Sequence, residues 1–264
     1  MLPVLQVGPL AIQLPGLLLL AGVWAVTSLS ERSAARHGIR ADLLVNLIFY
    51  SLIAGVIGAR LGYAARFLSI YAQDPIGLLS LNPSTLSLTD GVLVGALMAL
   101  VYGQRRGLPL WPTLDALTPG LAAFAVAIGA AHLASGDAFG APTGWPWAIE
   151  LWGAQRHPTQ IYEIVMALAV LLVVYRLDRS VPFAGSVFLG WVVLASASRL
   201  FLEAFRGDSV LVLGGVRQAQ LVSLLLLLAA MVGLHLLAQP RPGGQAGSGG
   251  KGAQGDNEAV EVVR

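Results

Sequence analysis

The stretch Arg156-His157-Pro158-Thr159-Gln160-Ile161-Tyr162-Glu163 opens onto a run, 164–174, that carries no charge. Polar and ionisable side chains at the mouth of such a run are too costly to face hydrocarbon, so they must face protein or a headgroup region. Pro158 has no N–H to leave unpaired and its φ is preset, which suits a first helical turn. The spacing therefore predicts a helix starting at Pro158, with Thr159 and Gln160 on the face of Glu163, one turn on. One such cluster could be no more than an interfacial cap. Three others of the same kind occur in this chain.

Composition sets the class. Hydrophobic residues make up 56% and charged residues 11% of the 264, and mean hydropathy is +0.74, whereas soluble domains carry roughly 25% charge. The chain reads as an all-α integral membrane protein. A span needs about 20 apolar residues, and seven candidates fall at 10–29, 43–68, 90–102, 110–135, 158–175, 182–205 and 213–237, the short third one with room to extend backwards through Leu86 and Leu88. Residues 69–84, broken by Pro75 and Pro83, read as a segment lying on the membrane. Residues 1–238 form the membrane domain, and 239–264 read as a disordered Gly-rich tail. No positive n-region precedes Pro15, so no cleavable signal peptide is expected. The absence of cysteine excludes disulfides and a cysteine nucleophile. The four histidines sit on different elements, so no metal site is expected, and no Gly-rich nucleotide loop is present.

Ten of the sixteen basic residues fall in alternate loops or the tail: Arg32, Arg36, Arg40, Arg105, Arg106, Arg176, Arg179, Arg241, Lys251 and Arg264. The positive-inside rule makes that side cytoplasmic, with the N-terminus outside and the C-terminus inside. These residues are topology signals, which leaves no nucleic-acid surface. The other six, Arg60, Arg66, Arg156, Arg199, Arg206 and Arg217, fall near the outer ends of spans.

Those six belong largely to the polar clusters. Gly58-Ala59-Arg60-Leu61-Gly62-Tyr63 pairs two small residues for close packing with an arginine on another face. Residues 129–143 contain His132, Asp137 and Gly140 in a turn-rich loop. Arg199, Glu203 and Arg206 lie on one helix face; Arg199 and Glu203 can pair, leaving Arg206 for an external anion. Guanidinium groups grip phosphate bidentately, so the ligand expected for an arginine cluster in the outer leaflet is a phospholipid headgroup.

These residues, in this order, resemble the prolipoprotein diacylglyceryl transferase family. The resemblance rests on Val7-Gly8-Pro9-Leu10-Ala11-Ile12, the cluster at Gly58, the octapeptide at Arg156, the Arg199, Glu203, Arg206, Asp208 series, and Gln220-Leu221-Val222-Ser223. It implies a seven-helix fold with its N-terminus outside. The implied activity is transfer of a diacylglyceryl group from phosphatidylglycerol to the lipobox cysteine of preprolipoproteins, with glycerol-1-phosphate released. No cofactor is implied, and the implied location is the bacterial plasma (inner) membrane.

The family's loop pattern, Gly-Arg-x-Gly-Asn-Phe-x-Asn-Gly-Glu-x-x-Gly-Arg-Pro-Thr, lies without gaps on residues 128–143. Gly136, Gly140, Pro142 and Thr143 are kept. Gly129 and Ala141 stand for the arginines, His132 and Ser135 for the asparagines, and Asp137 for the glutamate. A family histidine falls at Thr89 or Asp90, and two family tyrosines fall at Pro15 and Ala195. The resemblance implies that Arg199, Arg206 and Arg60 hold the phosphate. His132 or Asp137 serves as base, and Glu203 completes the catalytic set. Gly140, Arg156, His157, Gln160, Tyr162, Glu163 and Gln220 are the implied substrate contacts. A non-catalytic phospholipid- or lipoprotein-binding paralogue is the alternative reading, and a small transporter a weaker one, since no internal repeat is evident.

Reporter fusions after Arg106 and after Arg179 both report cytoplasm if the basic loops orient the chain. A periplasmic signal from either overturns the topology.

Overall fold

The computed structural model describes residues 4–7, 10–73, 76–77, 85–212 and 214–239. The tail beyond 239 and most of the expected surface segment lie outside the described residues. Two short strands, β1 (Val4–Val7) and β2 (Leu10–Gln13), form a hairpin ahead of α1 (Leu14–Ala34). Helix α2 (Ala41–Arg66), short α3 (Leu68–Gln73) and α4 (Leu88–Arg105) follow, then α5 (Leu110–Ser135). A second hairpin, β3 (Ile149–Leu151) and β4 (Ala154–Arg156), leads into α6 (Thr159–Ser180) and α7 (Ser186–Glu203). A third, β5 (Leu211–Val212) and β6 (Val216–Arg217), precedes α8 (Gln218–Ala238).

Among the described residues, six helices, α1, α2, α5, α6, α7 and α8, are long and apolar enough to cross a membrane. The expected span at 90–102 is α4, which runs two residues further back and three further on and takes in Asp90 and Arg105 at its ends; it is not among the six. The helix surfaces are those of a protein solvated by lipid. Leu225, Leu228, Met231, Val232 and Leu236 on α8, and Val92, Leu93 and Leu97 on α4, are exposed, and side chains such as these gain nothing in water.

With lipid outside, helix pairs gain little from apolar burial and pack by close backbone approach. Helices α2 and α4 meet along glycines: a Cβ on Gly55 would lie 3.1 Å from the Gly91 carbonyl oxygen, and one on Gly58 would lie 2.5 Å from Val94 Cβ. The small pair at Gly58 and Gly62 thus packs as the sequence suggests. Helices α1 and α5 cross at Gly120, where a Cβ would meet Ser30 Oγ at 2.6 Å. From there α5 packs on α6 and α7, and α7 on α8.

One end of the bundle is fastened by buried carboxylates. Asp178 on α6 is fully buried and accepts hydrogen bonds from Ser33 Oγ (2.5 Å) and the His37 ring (Nε2 at 2.8 Å) and pairs with Arg36. Asp115 on α5, also fully buried, accepts from the backbone N–H of Gly185 (2.5 Å) and Phe188 (2.8 Å). It caps α7 from a neighbouring helix, satisfying donors that a helix start leaves orphaned. This cap explains why α7 begins at Ser186 and not at Pro182. Arg36, read above as a topology signal, is therefore also a structural partner.

Removing one member of a buried charged cluster costs about 3–5 kcal/mol, because its partners are left unpaired. Asp178→Ala is expected to lower the thermal unfolding midpoint in detergent clearly, and Asp178→Asn, which keeps an acceptor, by less. Equal midpoints for Asp178→Ala and the unmodified protein exclude this cluster as a fastening.

Candidate phospholipid-binding site

The opposite end of the bundle holds a cleft of about 530 Å³ lined by Arg199, Glu203, Arg206, Asp208 and Ser209 from α7 and the turn after it, and by Gln218 and Ser223 from α8. The helical spacing of Arg199 and Glu203 brings Arg199 Nη2 within 3.4 Å of Glu203 Oε2, as expected for an i, i+4 pair. Glu203 is only 1% exposed. Its Oε2 has no conventional hydrogen bond, the nearest guanidinium nitrogens being Arg199 Nη2 and, at 4.0 Å, Arg206 Nε.

Arg206 corrects the expectation that it would be the open cation. Its Nε and Nη2 form a bidentate pair with Asp208 at 2.9 and 2.7 Å. Arg199 is the more available guanidinium, with its side chain 37% exposed and a single long contact to carboxylate. Two arginines and two carboxylates balance one another in the cleft, with Arg206 committed to Asp208 and Arg199 the less committed of the two guanidinium groups.

The octapeptide directs several of its donors at the neighbouring loop. The β3–β4 turn, Trp152-Gly153, has positive φ at both residues (55° and 71°), the conformation that fits a two-residue hairpin. This turn returns Arg156 towards the loop 136–143, where its Nη1 donates to Gly140 O (3.2 Å), its Nε donates to Leu151 O (3.1 Å), and its guanidinium lies over Phe139. Thr159 Oγ1 donates to Ala138 O (2.6 Å) and Gln160 Nε2 to Asp137 O (2.9 Å), both from buried positions. Ala138 has φ of 54°, a strained choice for a residue with a side chain, and Thr159 holds it there. Arg156, Thr159 and Gln160 are therefore clamps on the loop.

The loop in turn holds Arg206. Gly140 pairs with Arg206 as an antiparallel bridge, Ala141 N–H donates to Phe205 O (2.8 Å) and Gly207 N–H to Phe139 O (2.9 Å). A Cβ on Gly140 would collide with the His157 carbonyl, so Gly140 serves here by close backbone approach. His157 and Tyr162 join an aromatic cluster with Phe205, and the Tyr162 hydroxyl accepts a hydrogen bond from Trp147 Nε1 (2.7 Å).

The remaining expected site residues divide. His132 Nδ1 lies 2.9 Å from Glu163 Oε2, so the two meet across α5 and α6. Glu163 also lines a smaller cavity of about 130 Å³ together with Arg199, Trp191 and Ala195. The Asp137 residue is exposed and touches the octapeptide through its main chain. Arg60 is buried and is tied to Thr85 and Gly77; it is not among the residues lining the large cleft. Gln220 does not line it either. Gln218, Ala219, Val222 and Ser223 do, because residues three and four apart share a face and Gln220 lies about 200° round from Gln218. That i, i+4 stripe was the signal available for Gln218.

The comparisons with known proteins follow the same lines. The family profile of prolipoprotein diacylglyceryl transferase matches residues 3–236. A phosphatidylglycerol–prolipoprotein diacylglyceryl transferase of Trichormus variabilis is 31% identical over 261 residues, covering 91% of this chain and 92% of its own length. Proteins of the same name from Thermus thermophilus (31% identical, 89% of this chain, 97% of theirs) and Clostridioides difficile (29%, 80% and 84%) are similar as well. The chain is a multi-pass, all-helical membrane protein of the transferase class. It belongs to the prolipoprotein diacylglyceryl transferase family.

Thr159→Val keeps the helix and the side-chain volume and deletes the bond to Ala138. Backbone amides across 136–143 and 205–207 are expected to exchange with deuterium faster while those of α5 and α6 keep their protection. Unchanged exchange in the loop rules out Thr159 as its clamp.

Proposed function

We propose that this protein transfers the diacylglyceryl group of phosphatidylglycerol to the lipobox cysteine of preprolipoproteins in the bacterial plasma membrane, with α4 as a seventh span and the large cleft at the outer end. The observation that carries this reading is the exposed Arg199 guanidinium beside buried Glu203, in a cleft at the end of the bundle away from the basic loops. In a low-dielectric site a fixed cation favours the state in which negative charge develops on a leaving phosphate.

A free thiol has a pKa of about 8.5, so a base must help form the thiolate. The thiolate sulfur forms a bond to the terminal carbon of the diacylglyceryl group. The carbon–oxygen bond to phosphate breaks, and its electron pair leaves with glycerol phosphate. Arg199 and Arg206 take that charge, Arg206 by exchanging Asp208 for phosphate. Glu203 keeps both guanidinium groups in place, Gln218 and Ser223 offer polar contacts to the headgroup, and His132 takes the proton. Asp137 is the weaker candidate for that step, since its carboxylate sits on an exposed turn.

Purified protein with phosphatidylglycerol and a lipobox peptide is expected to yield a thioether-linked diacylglyceryl peptide. Arg199→Ala lowers kcat by about 10²–10³, the effect of one transition-state donor. Phosphatidylglycerol binding without any product overturns the transferase reading in favour of a binding paralogue.

A further inference from the structure

His132 and Glu163 are the one imidazole–carboxylate pair that the described residues hold at the site end of the bundle, at 2.9 Å through Nδ1. The contact depends on how closely α5 and α6 approach. A Cβ on Gly129, one turn before His132, would lie 3.3 Å from Ile164 N and 3.4 Å from Glu163 Cγ, so a residue without a side chain at 129 lets the His132 ring reach the first turns of α6. The His132 side chain is 31% exposed and that of Glu163 19%, which leaves the pair sheltered but reachable. The charged groups around it are Glu163 from α6, Arg199 from α7, which shares the smaller cavity with Glu163, and Asp137 in the loop after α5.

A carboxylate accepts only, so the nitrogen facing it must carry a proton. A neutral imidazole has one N–H. With that N–H at Nδ1, the lone pair stands at Nε2 on the other side of the ring. We propose that Glu163 fixes His132 as its Nδ1–H tautomer, and that His132 Nε2 thereby accepts the proton of the substrate thiol. This rests on the transferase reading above. The S–H proton passes to Nε2, the sulfur pair forms the carbon–sulfur bond, and the carbon–oxygen pair leaves with glycerol phosphate. The imidazolium formed is balanced by Glu163 and then returns its proton to the released phosphate or to water. Glu163 is on this account a positioning residue for His132, not a contact of the substrate.

Two measurements on the full chain in lipid nanodiscs test it. In ¹⁵N-histidine-labelled protein at alkaline pH, the His132 resonances, assigned by their loss in His132→Gln, should show Nδ1 protonated and Nε2 bare. Glu163→Gln, whose NH2 can donate to the ring, should move the proton to Nε2. In the transfer assay, His132→Ala should lose about 10²–10⁴-fold in kcat, the range for a positioned proton acceptor, and added imidazole should restore part of it. Glu163→Gln should lower kcat with KM nearly unchanged, and Glu163→Asp should retain more activity than Glu163→Gln. A helix-to-helix staple with no part in proton transfer is not rescued by imidazole and leaves kcat and KM moving together. An Nε2–H tautomer in the unmodified protein overturns the role of Glu163, and a fully active His132→Ala overturns that of His132. If the unmodified protein transfers nothing, the transferase reading fails together with the catalytic half of this proposal, while the tautomer measurement still decides whether Glu163 orients the ring.

Discussion

Glu203 is a carboxylate almost wholly removed from solvent at the end of a membrane helix, and the architecture around the cleft follows from that cost. A buried anion is stable only with cations held close, and cations near hydrocarbon need anions in turn. Arg199 and Arg206 answer Glu203, and Asp208 answers Arg206. The resulting set is neutral in sum but not rigidly paired: the Arg199 contact is long and Glu203 Oε2 lacks a close donor. A site built this way is balanced by its own charges and leaves Arg199 as the less committed guanidinium.

Helix α7 connects this set to the other end of the molecule. Its first turn is gripped by Asp115, and its last two turns carry Arg199 and Glu203. At about 1.5 Å per residue, Arg199 lies about 21 Å and Glu203 about 27 Å along the helix from its cap at Gly185. The cap therefore sets the axial position of the helix, and the loop 136–143 sets the direction in which the chain leaves it. Because the octapeptide spends its donors on that loop, the Arg206 main chain is held from both sides, by Gly140 and by Arg217 Nη1 donating to the Arg206 carbonyl (3.2 Å). The strain at Ala138 sits inside this clamp, where the surrounding bonds can hold it.

The helices were legible in the sequence because a bilayer-length apolar run admits few other structures. Helix ends were not, since they are set by partners distant in sequence: α7 starts where Asp115, 70 residues away, reaches Gly185. The polar clusters were legible as locations and much less as roles. Composition identifies an arginine, but which acceptor takes its donors depends on the hairpin that turns Arg156 back and on the turn that aims Asp208 at Arg206. Asp178 and Asp115 carried a signal that could have been used, since each is an ionisable residue in an apolar run and needs a partner. Their partners, Ser33, His37 and the α7 backbone, give no local hint.

The departures at 129 and 132 become one change when placed on the helices. In the family's loop pattern the residue at 129 is arginine and that at 132 is asparagine. Here position 129 is a glycine packed against the backbone of Ile164 and the stem of Glu163, and position 132 is a histidine bonded to the same glutamate. An arginine at 129 would bring a permanent cation to the place where α5 and α6 now touch, its Cβ 3.0 Å from Ile164 Cγ1 and 3.3 Å from Ile164 N, so that a neighbour must shift slightly. With glycine there, Glu163 has no such charge from position 129. A histidine one turn further on supplies a partner that can take up and release a proton. In this chain the carboxylate's partner is an imidazole, a group whose charge depends on protonation, where a guanidinium's does not.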